Sequence, residues 1–196
     1  MDAESWWFDL RHNVDTSLQL DEQRKRGWRE DKVNFYYVPT RPKWARRALR
    51  HLPAKVRQES TFVDFGSGKG RVLLMATEFG FKNLVGIELR KELHDQACEN
   101  FRRFRGSRDC RMQSLHMEAT EYELPKEKLV LFFFNPFGGE VMEKVLGKIE
   151  ASLDRDYRDV WIILHGSVCS HLADRSARLK LEIEHRGYRI YRSVPG

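Results

Sequence analysis

Residues 61–79, TFVDFGSGKGRVLLMATEF, constrain the fold more tightly than any other stretch of the chain. Phe62-Val63-Asp64-Phe65 is a short apolar run of the kind a buried strand needs. Gly66, Gly68 and Gly70 come next on alternate positions, and Val72, Leu73, Met75, Ala76 and Phe79 then recur at helical spacing. Strand, glycine-rich turn and helix together form a ligand cradle. Glycine lets the backbone turn through positive φ and approach a bound group, and the first N–H groups of a helix have no partner of their own. A tight structural turn uses the same glycines, so the loop's meaning depends on the strands and acids downstream of it.

Spacing separates the known loops of this outline. A phosphate-binding Walker loop needs Ser or Thr after its lysine, and Lys69 is followed by Gly70. A dinucleotide GxGxxG fingerprint fails because the third glycine comes one residue early. The pattern Asp64-x-Gly66-x-Gly68-x-Gly70 resembles the first motif of class I S-adenosylmethionine (SAM) methyltransferases. The resemblance implies that this loop, Ser67 included, packs on the methionine part of the cofactor.

Leu84-Val85-Gly86-Ile87-Glu88 reads as a second strand ending in an acid about twenty residues past the loop. In a doubly wound sheet an acid at that place reaches ribose hydroxyls, which assigns Glu88 to the ribose, with Leu89 beside it. A helix from Arg90 to about Arg105 and a third strand near Cys110 to Met117 come next. By the same resemblance, Glu118 and Ala119 hold adenine. Leu129 to Phe134 is apolar at every position, as a central parallel strand covered on both faces must be. It runs into Asn135-Pro136-Phe137-Gly138, similar to the Asn-Pro-Pro-aromatic motif of amino-group methyltransferases, with one proline in place of two. That resemblance implies that Asn135, Pro136 and Phe137 hold an acceptor nitrogen in line with the methyl group, where catalysis is mostly orientation. A plain turn closing the strand is the competing reading. A fifth strand, Val160 to Leu164, ends in His165, which is placed either to meet substrate as a base or to pack. Alternation in Arg178 to Glu184 and Tyr188 to Val194 predicts an antiparallel terminal hairpin.

The expected fold is therefore α/β: a Rossmann-like class I methyltransferase with a seven-stranded, mostly parallel sheet and helices on both faces, over residues 42–196. Residues 1–41 form an arm that carries the Trp6-Trp7-Phe8 knot and the basic cluster Arg24, Lys25, Arg26; it either docks on the body or acts as a lid over the site. Asn34 to Thr40 reads as extended. More narrowly, Val14-Asp15-Thr16, Tyr37-Val38-Pro39-Thr40, DFGSGKGR and FFFNPF resemble a group of small bacterial SAM-dependent methyltransferases, which implies that Tyr37 and Thr40 fold over the methionine moiety. Looser similarity extends to protein lysine methyltransferases. From Pro42 a helix buries Trp44, Ala48, Leu49 and Leu52, with Lys43, Arg46, Arg47 and Arg50 opposite as a solvated face or a rim for an anionic partner.

Composition limits the alternatives. A chain of 196 residues is one domain, and its net charge of +6 admits anionic partners without requiring them. The longest apolar run is too short for a bilayer, and the acidic aromatic start is unlike a signal peptide. Cys98, Cys110 and Cys169 form no CxxC pair, which points to a reducing cytoplasm and to neither a disulfide scaffold nor a metal site. The expectation is methyl transfer from SAM, leaving S-adenosyl-L-homocysteine, to a nitrogen on a small molecule or protein side chain, with nucleic acid behind both. A non-catalytic SAM- or nucleotide-binding module that holds RNA on its basic surface is the alternative.

Overall fold

The computed structural model describes residues 3–17, 37–107, 109–166 and 169–196. The cluster Arg24, Lys25, Arg26 and the stretch Asn34 to Tyr36 lie outside the described residues. Seven strands make one sheet in the order β3-β2-β1-β4-β5-β7-β6. In chain order they are β1 (Thr61–Phe65), β2 (Asn83–Glu88), β3 (Arg111–His116), β4 (Leu129–Phe134), β5 (Val160–His165), β6 (Leu179–His185) and β7 (Tyr188–Ser193). The first five run parallel, and β7 pairs antiparallel with both β5 and β6. From β1 the chain steps outward through β2 to β3, then returns to the other side of β1 for β4. That reversal beside β1 opens a crevice at the carboxyl ends of the strands, the usual ligand site of such sheets.

The α-helices among the described residues are α1 (Ala3–His12), α2 (Pro42–Arg50), α3 (Ala54–Glu59), α4 (Arg71–Ala76), α5 (Lys91–Arg103), α6 (Gly139–Arg155) and α7 (Ser170–Ala173). Because strand residues alternate faces, β4 sends Val130 and Phe132 into one core and Leu129, Leu131 and Phe133 into the other. Phe62 and Phe81 join the first with ring centroids 5.0 Å apart, and Phe65 stacks on Phe133 in the second at 4.7 Å. Burying each such ring contributes about 1.5–3 kcal/mol, so the continuous apolar run of β4 anchors both layers.

The first residues do more than drape over this body. They form α1, a helix that the sequence pattern did not announce. Consecutive residues on a helix point about 100° apart, so a run of three aromatics cannot bury together. Phe8 enters the first core beside Ser5 and His12, whereas Trp6 and Trp7 are 47% and 62% exposed. In α2 the buried face is Ala45, Ala48 and Leu49; Trp44, expected on that face, is only half-buried, against the β6–β7 turn.

Candidate active site

A cleft of about 570 Å³ lies at the carboxyl ends of β1, β2 and β4. It brings together Tyr37, Thr40, Asp64, Gly66, Ser67, Glu88, Leu89, Glu118, Ala119, Asn135, Pro136 and Phe137. Its size is that of a pocket for a nucleoside-sized ligand. Of the residues singled out from sequence, Gly68, Gly70 and His165 stand outside its lining.

Glu88 organises the floor. Its Oε2 accepts the Gly68 N–H at 2.8 Å and its Oε1 accepts the Arg90 N–H at 2.8 Å, so one carboxylate clamps the glycine loop to the end of β2. A carboxylate offers about four lone-pair positions, which leaves room on both oxygens for ligand hydroxyls. Burial pushes the Glu88 pKa up, against the pull of its N–H bonds. Asp64 is buried and its carboxylate takes no hydrogen bond among the described residues. Burial, and then the nearby Glu88, hold it well above the usual carboxylate range. Two buried acids side by side, one of them without a partner, suit a cationic ligand. Ser67 Oγ is likewise buried without a hydrogen bond among the described residues.

Two glycines fit the loop to its surroundings. Gly66 (φ 74°) lets the loop lie against Pro136; a Cβ there would enter the proline ring, so the two motifs touch through this residue. Gly68 (φ 55°) does the same for the ring of Tyr37. Gly70 faces Phe101 of α5 and serves packing.

Across the cleft, Asn135 sits at φ 40°, a left-handed conformation that Asn tolerates better than most residues. The backbone leaves β4 abruptly there and turns the Asn135 side chain toward Gly166, at φ 94°, where a Cβ would collide with the side-chain amide. Strain of this kind, held by surrounding structure, concentrates at functional sites. A small cavity of about 20 Å³ continues from Asn135 to His165. His165 is opposite Phe134 in the β4–β5 register, with its ring edge-on to Phe134 at 4.9 Å and to Trp44 at 6.2 Å. Neither ring nitrogen has a hydrogen-bond partner among the described residues. Burial, then His185, depress its pKa to about 4, so the ring is neutral at physiological pH.

The residues that sequence reading missed tie the arm to the loop. Arg71, only 2% exposed, lines the cleft and donates to Thr16 Oγ1 (2.6 Å), Ser17 Oγ (2.6 Å), Ser5 Oγ (2.8 Å) and Thr40 O (3.3 Å), with Asp9 at 3.7 Å. Lys69 Nζ reaches Asp15 Oδ1 at 2.9 Å and Ser17 O at 3.0 Å. Asn100 Nδ2 donates to Asp15 O and Lys69 O at 2.8 and 2.9 Å, and Tyr37 Oη donates to Thr16 O at 2.7 Å. Val14-Asp15-Thr16 is thus the buckle of the arm. A signal was present: cations at 69 and 71 flank the start of α4, the end of a helix that disfavours positive charge, so they needed other partners.

Comparison with known proteins agrees with this fold. The family described as Histone methylation protein DOT1 matches residues 30–131, just over half of the chain. The chain belongs to the DOT1 family. That places it among SAM-dependent methyltransferases, with the matched region running from the arm through the glycine loop and Glu88 to β4. A protein-lysine N-methyltransferase of Saccharolobus islandicus is 40% identical over 65 residues, which are 33% of this chain and 39% of that relative. The fold is shared with an RNA methyltransferase from Salinibacter ruber, solved with S-adenosyl-L-homocysteine (TM-score 0.56, 20% identity, 81% of this chain and 94% of that one). It is also shared with a ribosomal protein L11 methylase from Lactobacillus delbrueckii subsp. bulgaricus (TM-score 0.54, 13% identity, 77% and 76%). One architecture thus serves enzymes named for RNA and for protein, so the acceptor has to be argued from this chain's own site. Among the described residues no group of His, Cys, Asp and Glu could hold a metal ion, and no helix is long and apolar enough to cross a membrane.

Proposed function

We propose that this DOT1-family protein is a SAM-dependent N-methyltransferase acting on an amine of a protein, in the first place a lysine side chain. The observation that carries the reading is the opposition of two walls in one cleft. The Asp64–Glu88 pair with the glycine loop forms one, and Asn135-Pro136-Phe137 forms the other, touching it through Gly66 and Pro136.

The residues present fit the cofactor. Asp64, an unpartnered buried carboxylate, suits a cationic amino-acid end; Glu88 keeps lone pairs for ribose hydroxyls; Glu118 and Ala119, at the outer end of the cleft, suit adenine. Bound there, SAM would supply an electrophilic methyl group on sulfur. Tyr37 and Thr40 would enclose the amino-acid end, held by the contact of Tyr37 with Gly68 and Thr16.

On the acceptor side, the Asn135 side-chain oxygen accepts a hydrogen bond from an amine N–H and so aims the nitrogen lone pair. Phe134 and Phe137 give an apolar wall that excludes water and disfavours the ammonium form, and an amine must be neutral to attack carbon. Orientation and desolvation then carry the reaction. His165, neutral and caged by rings behind Phe134, supports that wall instead of exchanging a proton. The lysine-methylating relative is the further support for a protein amine.

The test is incubation with methyl-labelled SAM and mixed protein or RNA acceptors, followed by mass spectrometry of peptides. Methylated lysine that disappears with Asn135→Ala supports the reading. Label confined to RNA overturns it.

A further inference from the structure

Beside the acceptor wall lies a one-sign surface that the cleft itself does not use. In α2, Lys43, Arg47 and Arg50 fall on one helical face and all three are exposed. His51 lies on the same side. The β6–β7 turn adds His185 and exposed Arg186, and Gly187 in that turn packs against Trp44. Lys43, Arg47, Arg50 and Arg186 form no ion pair among the described residues, and no acid occurs from residue 41 to 57. Acids on neighbouring elements are engaged elsewhere: Glu78, in the turn after α4, with Arg46, and Glu184 of β6 with Arg189. Desolvation, then Arg47, His51 and Arg186, push the His185 pKa down, which marks the group as mutually repelling neighbours. Such a cluster costs stability in the free protein.

Its position is next to the acceptor. Gly166 N donates to Gly187 O at 2.9 Å, and Gly166 abuts the Asn135 amide, so the cationic turn is one residue removed from the proposed methyl-accepting site. We propose that the face formed by α2 and the β6–β7 turn docks an acidic segment of the protein substrate and thereby delivers the neighbouring lysine to Asn135. The proposal rests on the protein-amine reading of the cleft and names what the substrate must carry: a run of Asp and Glu flanking the modified residue. Acidic neighbours would draw the substrate to the cations, while the cations at the mouth favour the neutral amine.

A nucleic-acid strand is the other polyanion, and the aromatic geometry disfavours it. Trp44 is the ring at the centre of the strip, yet Lys43 Nζ covers its face at 5.7 Å and His165 and His185 each lie 6.2 Å from it. The indole is thus crowded by a cation and two imidazoles and is a poor platform for base stacking, the contact on which binding of single strands without sequence preference depends.

Fluorescence anisotropy decides it, with two labelled probes of equal length: a peptide of Asp and Glu around one lysine, and a poly-uridine RNA. S-adenosyl-L-homocysteine is titrated into the same samples. The peptide should bind the wild type and weaken steeply with salt. The triple variant Lys43→Glu, Arg47→Glu, Arg50→Glu should bind it at least about tenfold more weakly, and Arg186→Glu alone less so, with S-adenosyl-L-homocysteine affinity retained. Peptide binding unchanged by the triple variant, no peptide binding at all, or tighter binding of the RNA through the same residues overturns the docking surface. Failure of the wild type to bind S-adenosyl-L-homocysteine would instead overturn the reading of the cleft.

Discussion

Replacing His165 with Phe separates a structural histidine from a proton-transferring one. Its pKa lies at about 4 in the folded protein against an ordinary 6.5, because burial and then His185 penalise the cation. The folded state therefore refuses a proton that the unfolded chain accepts. Stability is full above pH 6.5 and is lost as pH falls from 6.5 toward 4. At pH 5 an unfolded histidine is protonated about thirty-fold in excess, so linkage sets the loss at about 2 kcal/mol relative to pH 8. Phenylalanine keeps an aromatic ring against Phe134, Trp44 and Tyr188 and removes the titration. Thermal denaturation across pH should show His165→Phe gaining on the wild type by about 2 kcal/mol between pH 8 and pH 5, about 4–8 °C in Tm for a chain of this size. Parallel profiles for the two proteins would refute the reasoning, since they would mean that His165 is hydrated or hydrogen-bonded in solution.

The same geometry sets three further outcomes. Asp64→Asn should raise ligand-free stability at pH 7.5 by about 0.5–2 kcal/mol while weakening SAM at least about tenfold, read by thermal melts and titration side by side. The sign comes from linkage: a carboxyl whose folded pKa is raised above 3.8 contributes less stability as pH rises past that value. Gly66→Ala should cost about 1–3 kcal/mol in urea denaturation and abolish methyl transfer, because the new Cβ strains a positive φ and displaces Pro136. Thr16→Val keeps shape but strips a hydroxyl from Arg71 and Asp9; it should cost about 1–3 kcal/mol and weaken SAM through the loosened arm, measured by denaturation and titration.

The sheet was legible because each central strand is a continuous apolar run, and a run like Leu129 to Phe134 can only be covered on both faces. Most of the cleft was legible too, since a glycine loop and acids ending successive strands are local patterns placed together by topology. What stayed hidden depends on pairings between distant residues. Val14-Asp15-Thr16 stands out as a motif, but nothing in the sequence ties Thr16 to Arg71, fifty-five residues away, which donates to its hydroxyl. Likewise, α1 hid in an aromatic knot from which only Phe8 turns inward. His165 stood at the right end of the right strand, yet it packs against its register partner Phe134 and the ring of Trp44 and does not line the main cleft. The cationic strip combines a helix near the start of the chain with a turn near its end, and half of it is invisible in either segment.

The central claim is that one cleft, clamped by Glu88, holds SAM. Calorimetric titration of SAM and of S-adenosyl-L-homocysteine into the wild type and Glu88→Ala addresses it most directly. Removing Glu88 takes away the acceptor for Gly68 N–H as well as the ribose contact proposed for it. The expected result is micromolar binding by the wild type that falls beyond detection in Glu88→Ala, with the variant still folded by circular dichroism. A folded wild type that binds neither ligand, or a variant that binds both as well as the wild type, would contradict it.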